Sequence, residues 1–374
     1  MEDKLAYIRE YLAKHKFHCP DVNNLDTTSV DIIYELYRNN FHEMTEDYAA
    51  VVFRYVGIYY AVNKNYDLMM KYYHMAINGG DTGALIKMAH YYRQQKDYDT
   101  MIKNLSVAIQ KGNVQAMNYL GSFYEKRGDY DAMQKYYQMA IKNGNAEAMF
   151  NLAYHFDIQS DHNSMIKYYK MAAEKGHTIA MCNLANYYNK CKDHGNTIKY
   201  YSMAAAKGDI DAMNYLAGYY ESQKKYELAI KYYLMAVEKG NANAMNDLAR
   251  YYEDRADHDK MLEYYLMAIS KGNTDAMYNL AQFYQQRKDY ESMLKYYNMA
   301  AEKGDADAIY SLANYYKGLG DYDNMLKYYL MAAEQEHSTT MKKLEILFSG
   351  NIKLLQAVQN LYWENVKLKY AQKN

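Results

Sequence analysis

Glycine returns in this chain every 32 residues, and that spacing limits the possible folds more than any other feature. It stands at Gly80, Gly112, Gly144, Gly176, Gly208, Gly240, Gly272 and Gly304. Paired tyrosines keep the same step, at Tyr136-Tyr137, Tyr168-Tyr169, Tyr200-Tyr201, Tyr232-Tyr233, Tyr264-Tyr265, Tyr296-Tyr297 and Tyr328-Tyr329. A fixed period of roughly 20–50 residues marks an array of identical supersecondary units, each burying its apolar face against the next.

The unit is clearest from Asn113 to Gly144. Ala116, Met117, Leu120, Gly121 and Tyr124 are spaced as one stripe of a helix, here called helix A. Met133, Tyr136, Tyr137 and Ala140 form a second stripe, on helix B. Lys126-Arg127-Gly128-Asp129 lies between them, carries no apolar anchor and predicts a tight turn. Gly144 can adopt the left-handed conformation that stops helix B, and Asn145 can then cap the next helix A. The same stop-and-start pair recurs at Gly112-Asn113, Gly208-Asp209, Gly240-Asn241, Gly272-Asn273 and Gly304-Asp305. One small residue per helix marks close helix contact: Ala140 and its equivalents from Ala172 to Ala332 in helix B, and Ala153 to Ala313 in helix A. The predicted fold is all-α, a right-handed α-solenoid of helix-turn-helix repeats.

Nine units run from 49 to 336, the first carrying Gly57 as its small helix A residue. Residues 1–48 fall outside the pattern and are expected to form a helical N-terminal cap. After Glu336 the pattern decays, and 337–374, which includes Trp363, is expected to be a degenerate C-terminal cap.

Composition narrows the function. Lysine plus arginine number 44 against 45 acids, a balance unlike that of a chain built to contact many phosphates or an anionic membrane. No apolar stretch is long enough to span a bilayer. Cys19, Cys182 and Cys191 show no paired spacing, which points to a reducing intracellular compartment, the cytoplasm, or a host's cytoplasm if the chain is viral. His15, His18 and Cys19 lack a second cluster to complete a metal site. No glycine-rich loop follows a strand, and no local signature places a nucleophile beside a base. The chain is therefore expected to be no enzyme and to need no cofactor or metal.

Two related families share these motifs. The Leu120-Gly121, Tyr124, Gly128-Asp129-Tyr130, Tyr137 and Ala140 set resembles the core of a tetratricopeptide repeat, with Met133 in place of the usual alanine. Lys167-Tyr168-Tyr169 through Gly176, followed by Ala180 and Leu184-Ala185, resembles the Sel1-like repeat, with a shorter turn between the helices. Arrays of this kind rich in Tyr, Asn and Met are similar to those of giant DNA viruses. The resemblance implies a scaffold that binds a partner protein or peptide along a concave face lined by helix A. Carried onto this chain, that face comprises Asn118, Tyr119, Asn151, Tyr154, Asn183, Asn186, Asn214, Tyr215, Asn246, Asp247, Arg250, Asn279, Gln282 and Asn314. Asparagine is a mediocre helix former, so propensity does not account for its recurrence there, and its amide can donate and accept at once. The alternatives are a nucleic-acid-binding helical repeat and a self-associating rod. The Tyr136-x-x-Met139 stripe, repeated through helix B, is expected to be packing and at least partly buried.

Overall fold

A computed structural model describes residues 46–334. The two expected terminal caps, with His15, His18, Cys19 and Trp363, lie outside the described residues, apart from residues 46–48. Contacts divide the chain into two compact units, 1–187 and 188–374. The division falls inside one helix, and the 32-residue repeat runs through it.

The first unit contains α1 (Glu46–Val62), α2 (Tyr66–Asn78), α3 (Thr82–Gln94), α4 (Tyr98–Gln110), α5 (Val114–Arg127), α6 (Tyr130–Lys142), α7 (Ala146–Ile158), α8 (His162–Glu174) and the start of α9 (Thr178–Lys190). The second contains the end of α9, then α10 (His194–Ala206), α11 (Ile210–Ser222), α12 (Tyr226–Glu238), α13 (Ala242–Glu253), α14 (His258–Ser270), α15 (Thr274–Gln286), α16 (Tyr290–Glu302), α17 (Ala306–Leu319) and α18 (Tyr322–Glu334). All eighteen described elements are helices, alternating A and B as the two stripes predict. The fold is an α-solenoid of helix-turn-helix repeats.

Capping sets the helix boundaries. The Asn145 side chain accepts from the Ala148 amide at 2.7 Å, and Asn113, Asn241 and Asn273 do the same for their helices. Helix B is capped the same way by aspartate: Asp129 accepts from the Ala132 amide at 3.1 Å. Helix B ends on a paired bond, with the Asn145 amide donating to the Ala140 carbonyl at 3.1 Å and Gly144 to Ile141 at 2.9 Å.

The small residues meet their neighbours as expected. Ala140, Ala172, Ala236, Ala153, Ala217 and Ala281 are all fully buried. A Cβ built on Gly121 would overlap the Tyr137 ring, so the glycine admits that ring against helix A. In the first unit the interior is a series of small clusters, such as Met117, Met133, Tyr137, Ala140, Ala148 and Leu152. In the second, one continuous cluster runs from Met245 to Ala332. The methionines of the helix B stripe, including Met75, Met139, Met267 and Met299, are half-buried against these cores.

Candidate protein-interaction surface

Two aromatic pairs per repeat fix helix A. In the helix A pair, the second ring stacks on the first tyrosine of its own helix B. Tyr124 lies over Tyr136 at 5.6 Å and 3°, and Tyr188 over Tyr200 and Tyr252 over Tyr264 nearly as flat. Lys135 covers the exposed side of Tyr136 with its ammonium 5.5 Å from the ring centre. The first ring of the pair turns the other way and meets the leading residue of the preceding helix B, as in Tyr98–Phe123, Tyr130–His155 and Tyr226–Tyr251. His162, His194 and His258 fill the same turn position and meet Tyr187, Tyr219 and Phe283. One ring thus holds the repeat together and its neighbour holds it to the repeat before. The periodicity of the sequence gives both positions but not this division.

The second tyrosine of helix B is buried, and its hydroxyl reaches the end of helix A. Tyr137 donates to Glu125 at 2.7 Å, Tyr265 to Glu253 at 2.7 Å, and Tyr297 to Gln285 at 2.9 Å. Burial raises the pKa of all three above the usual tyrosine value, and the carboxylate acceptors add to the rise at Tyr137 and Tyr265. For Tyr297 burial pushes it up to about 12. These hydroxyls stay protonated and act as structural donors.

The remaining helix A face carries the residues singled out above. Asn118 accepts from the Asn151 amide at 3.3 Å, and Asn246 accepts from Asn279 at 3.0 Å. Each pair joins helix A of one repeat to helix A of the next, with a separation of 33 residues. Asn246 is buried by this pairing. The Tyr119 hydroxyl sits 2.8 Å from His90 Nδ1. Asn183 donates to the Tyr169 hydroxyl at 3.0 Å, and Tyr215 donates to Asn189 at 2.8 Å while stacking on Tyr201. Asn214 is half-buried, and its Oδ1 has no hydrogen-bond partner among the described residues. Arg250 stands 3.8 Å from Asp247 and is mostly exposed. Burial raises the Asp247 pKa, and Arg250 partly offsets this. Gln282 donates to the Tyr278 hydroxyl. Tyr154 is 49% exposed but stacks on Phe150, and Asn186 and Asn314 are also exposed. Side-chain pairing between repeats has no sequence signal beyond the residue types, because it depends on how far one helix A lies from the next.

Among the described residues no group of His, Cys, Asp and Glu is placed to hold a metal ion, and no helix is long and apolar enough to cross a membrane.

Tetratricopeptide-repeat family models match residues 116–149, 274–302 and 306–334. A solved protective antigen of uropathogenic Escherichia coli strains, described as displaying an SLR fold, superposes with a TM-score of 0.52 at 18% identity. The match covers 93% of this chain and 90% of that one. The chain carries tetratricopeptide-type repeats and shares the Sel1-like, tetratricopeptide-like solenoid fold. A Sel1 repeat protein from Oxalobacter formigenes superposes with a TM-score of 0.53 at 20% identity, covering 74% of this chain and 90% of that one. Among curated proteins no sequence matches. Folds built from these repeats are commonly protein-interaction scaffolds.

Proposed function

We propose that this repeat protein is a non-catalytic scaffold that binds a partner protein or peptide along its helix A face, in a reducing compartment. One observation carries the proposal. Positions that pack within a repeat barely change from unit to unit, whereas the helix A face changes at nearly every step while staying anchored. The residues equivalent to Asn118 are Phe150, Cys182, Asn214, Asn246, Tyr278 and Tyr310, and those equivalent to Tyr154 include Ser122, Asn186, Arg250, Gln282 and Asn314. Packing does not require that variety, and a partner contacting each repeat differently would. Tyr154 supplies a rigid exposed ring, and rigid aromatic surface binds at low entropic cost. The buried Asn246 and the paired Asn118 and Asn183 position their neighbours, and contact falls to Tyr154, Asn186, Arg250, Gln282 and Asn314.

The test is capture of a partner from the source cells by the full chain, compared with Tyr154→Glu and with Arg250→Glu/Asn314→Asp. These residues are exposed, so circular dichroism should be unchanged. Loss of the same identified partner with either folded variant supports the helix A face in that half of the chain. Full retention with both, combined in one chain, places binding elsewhere.

A further inference from the structure

Successive B helices touch through one position, and part of the second unit changes its chemistry. Ser202 on α10 lies 3.4 Å from the Tyr232 hydroxyl on α12, and Tyr328 on α18 donates to Asn298 on α16 at 2.6 Å. Between these two contacts the same position is held by Leu234 and Leu266, which offer Tyr264 and Tyr296 no acceptor. The two leucines are 37% and 47% exposed. Ile230, Leu234 and Val237 lie on one face of α12, and Leu262, Leu266 and Ile269 on the same face of α14. The residues flanking each leucine are partly exposed as well. In the neighbouring repeats the stripe is interrupted, as Ile198-Ser202-Ala205 and Leu294-Asn298-Ala301.

The charges beside the two leucines differ at one place. Lysine holds one helix B position in every described repeat, from Lys71 to Lys327, except at Glu263. Lys231 and Glu263 therefore stand at equivalent places, one turn before Leu234 and Leu266. Both are exposed, and neither forms an ion pair among the described residues. The Lys231 ammonium lies 5.7 Å from the Tyr232 ring centre. So α12 and α14 present the same apolar face with opposite charges, and a surface of that kind is complementary to itself. A two-fold axis in the plane of contact, parallel to the two helices and midway between them, sets α12 of one copy on α14 of another. Leu234 then meets Leu266 of the second copy and Lys231 meets its Glu263, each pair formed twice. Glu227 and Asp259, a further turn out, face each other at the rim, where solvent and salt screen them.

We propose that α12 and α14 form a docking surface for a second copy of this chain, closing an isologous dimer through helix B. The dimer goes beyond the helix A reading and does not depend on it. A single exposed leucine is ordinary, but six apolar side chains on adjoining helices make a contiguous patch of the kind that marks an interface. Lysine at both charged positions, as in the other repeats, would set cation against cation across the two-fold. Glu263 replaces that repulsion with an attraction, and so selects the second copy as the occupant. The patch is small, so the dimer forms in a concentration-dependent way.

The test is the mass of the full chain by sedimentation equilibrium, over about a hundredfold range of concentration up to about 1 mM. Wild type should rise from the monomer mass to twice it. Leu234→Gln/Leu266→Asn installs the residue types that Gln138 and Asn298 supply at the same position, so circular dichroism should be unchanged while the dimer is lost. Glu263→Lys and Lys231→Glu should each weaken association about tenfold. The combined Lys231→Glu/Glu263→Lys chain should regain it. An equal mixture of the two single variants should regain it too, because unlike copies then offer opposite charges at both contacts. A wild-type monomer at every concentration would overturn the proposal. So would a dimer that survives Leu234→Gln/Leu266→Asn, or charge variants that neither weaken association nor rescue one another. Growth past twice the monomer mass would overturn the closed two-fold.

Discussion

Each repeat has two turns, and they solve the same problem with different residues. Both end a helix on a left-handed residue followed directly by a cap. The turn from helix B to helix A always uses glycine in the described repeats, at φ between +79° and +92°. The turn from helix A to helix B uses Lys64, Lys96, Ser160, Lys192, Lys224, Ala256 and Lys288, at φ between +56° and +62°, and glycine only at Gly128 and Gly320. The lower values lie in the small left-handed well open to side chains, whereas the higher ones lie beyond it. Space is not the reason, because a Cβ on Gly112, Gly144 or Gly240 would meet nothing. The glycine period that dominates the sequence is therefore set by one backbone angle. That angle joins one repeat to the next and so fixes where each helix A face is presented.

The caps divide as well. Helix A is capped by asparagine at Asn113, Asn145, Asn241 and Asn273 and by aspartate at Asp81, Asp209 and Asp305, whereas helix B is capped mostly by aspartate. Where aspartate serves both, the surroundings reverse its pKa. Hydrogen bonds from Ser292 pull exposed Asp289 down, while burial pushes Asp305 up.

The comparison can be broken most sharply at Gly144. Gly144→Ala forces a side chain into an angle outside its well and should cost about 1–2 kcal/mol, read as a lower urea midpoint. An unchanged midpoint would mean the turn relaxes to the lower angle and the two turns are interchangeable. A smaller effect of opposite sign is expected at Lys225, which stands at a helix B cap and makes no side-chain cap bond. Lys225→Asp should restore the bond its equivalents make and gain about 0.5–1 kcal/mol by the same measurement. The smallest effect belongs to the tolerant turn. Lys96→Gly relieves a left-handed side chain but adds entropy to the unfolded chain, so the net change should stay within about 0.5 kcal/mol. A gain well beyond that would show that the lower angle is strained too.

Much of this was legible in order along the chain. The two apolar stripes place every described helix, and Gly144-Asn145 and its repeats state the stop and the cap outright. The buried alanines follow from their spacing. The methionines of the Tyr-x-x-Met stripe are half-buried, in line with the expected partial burial. The aspartate caps and the lysines at positive φ were harder to see, since lysine carries no turn signal and only the backbone angle reveals its role. At the candidate site the residue types were visible, but Asn118 and Asn246 look alike in sequence to Asn186 and Asn314. Two are paired across repeats and two are exposed.

Sequence alone thus determined the repeat, its two helices and its junctions, because these depend on periodicity and on local backbone chemistry within a few residues. Only the tertiary structure decided which tyrosine of a pair faces its own repeat and which asparagines satisfy each other. Those outcomes depend on distances between residues about 33 apart, and the helix packing angle sets them.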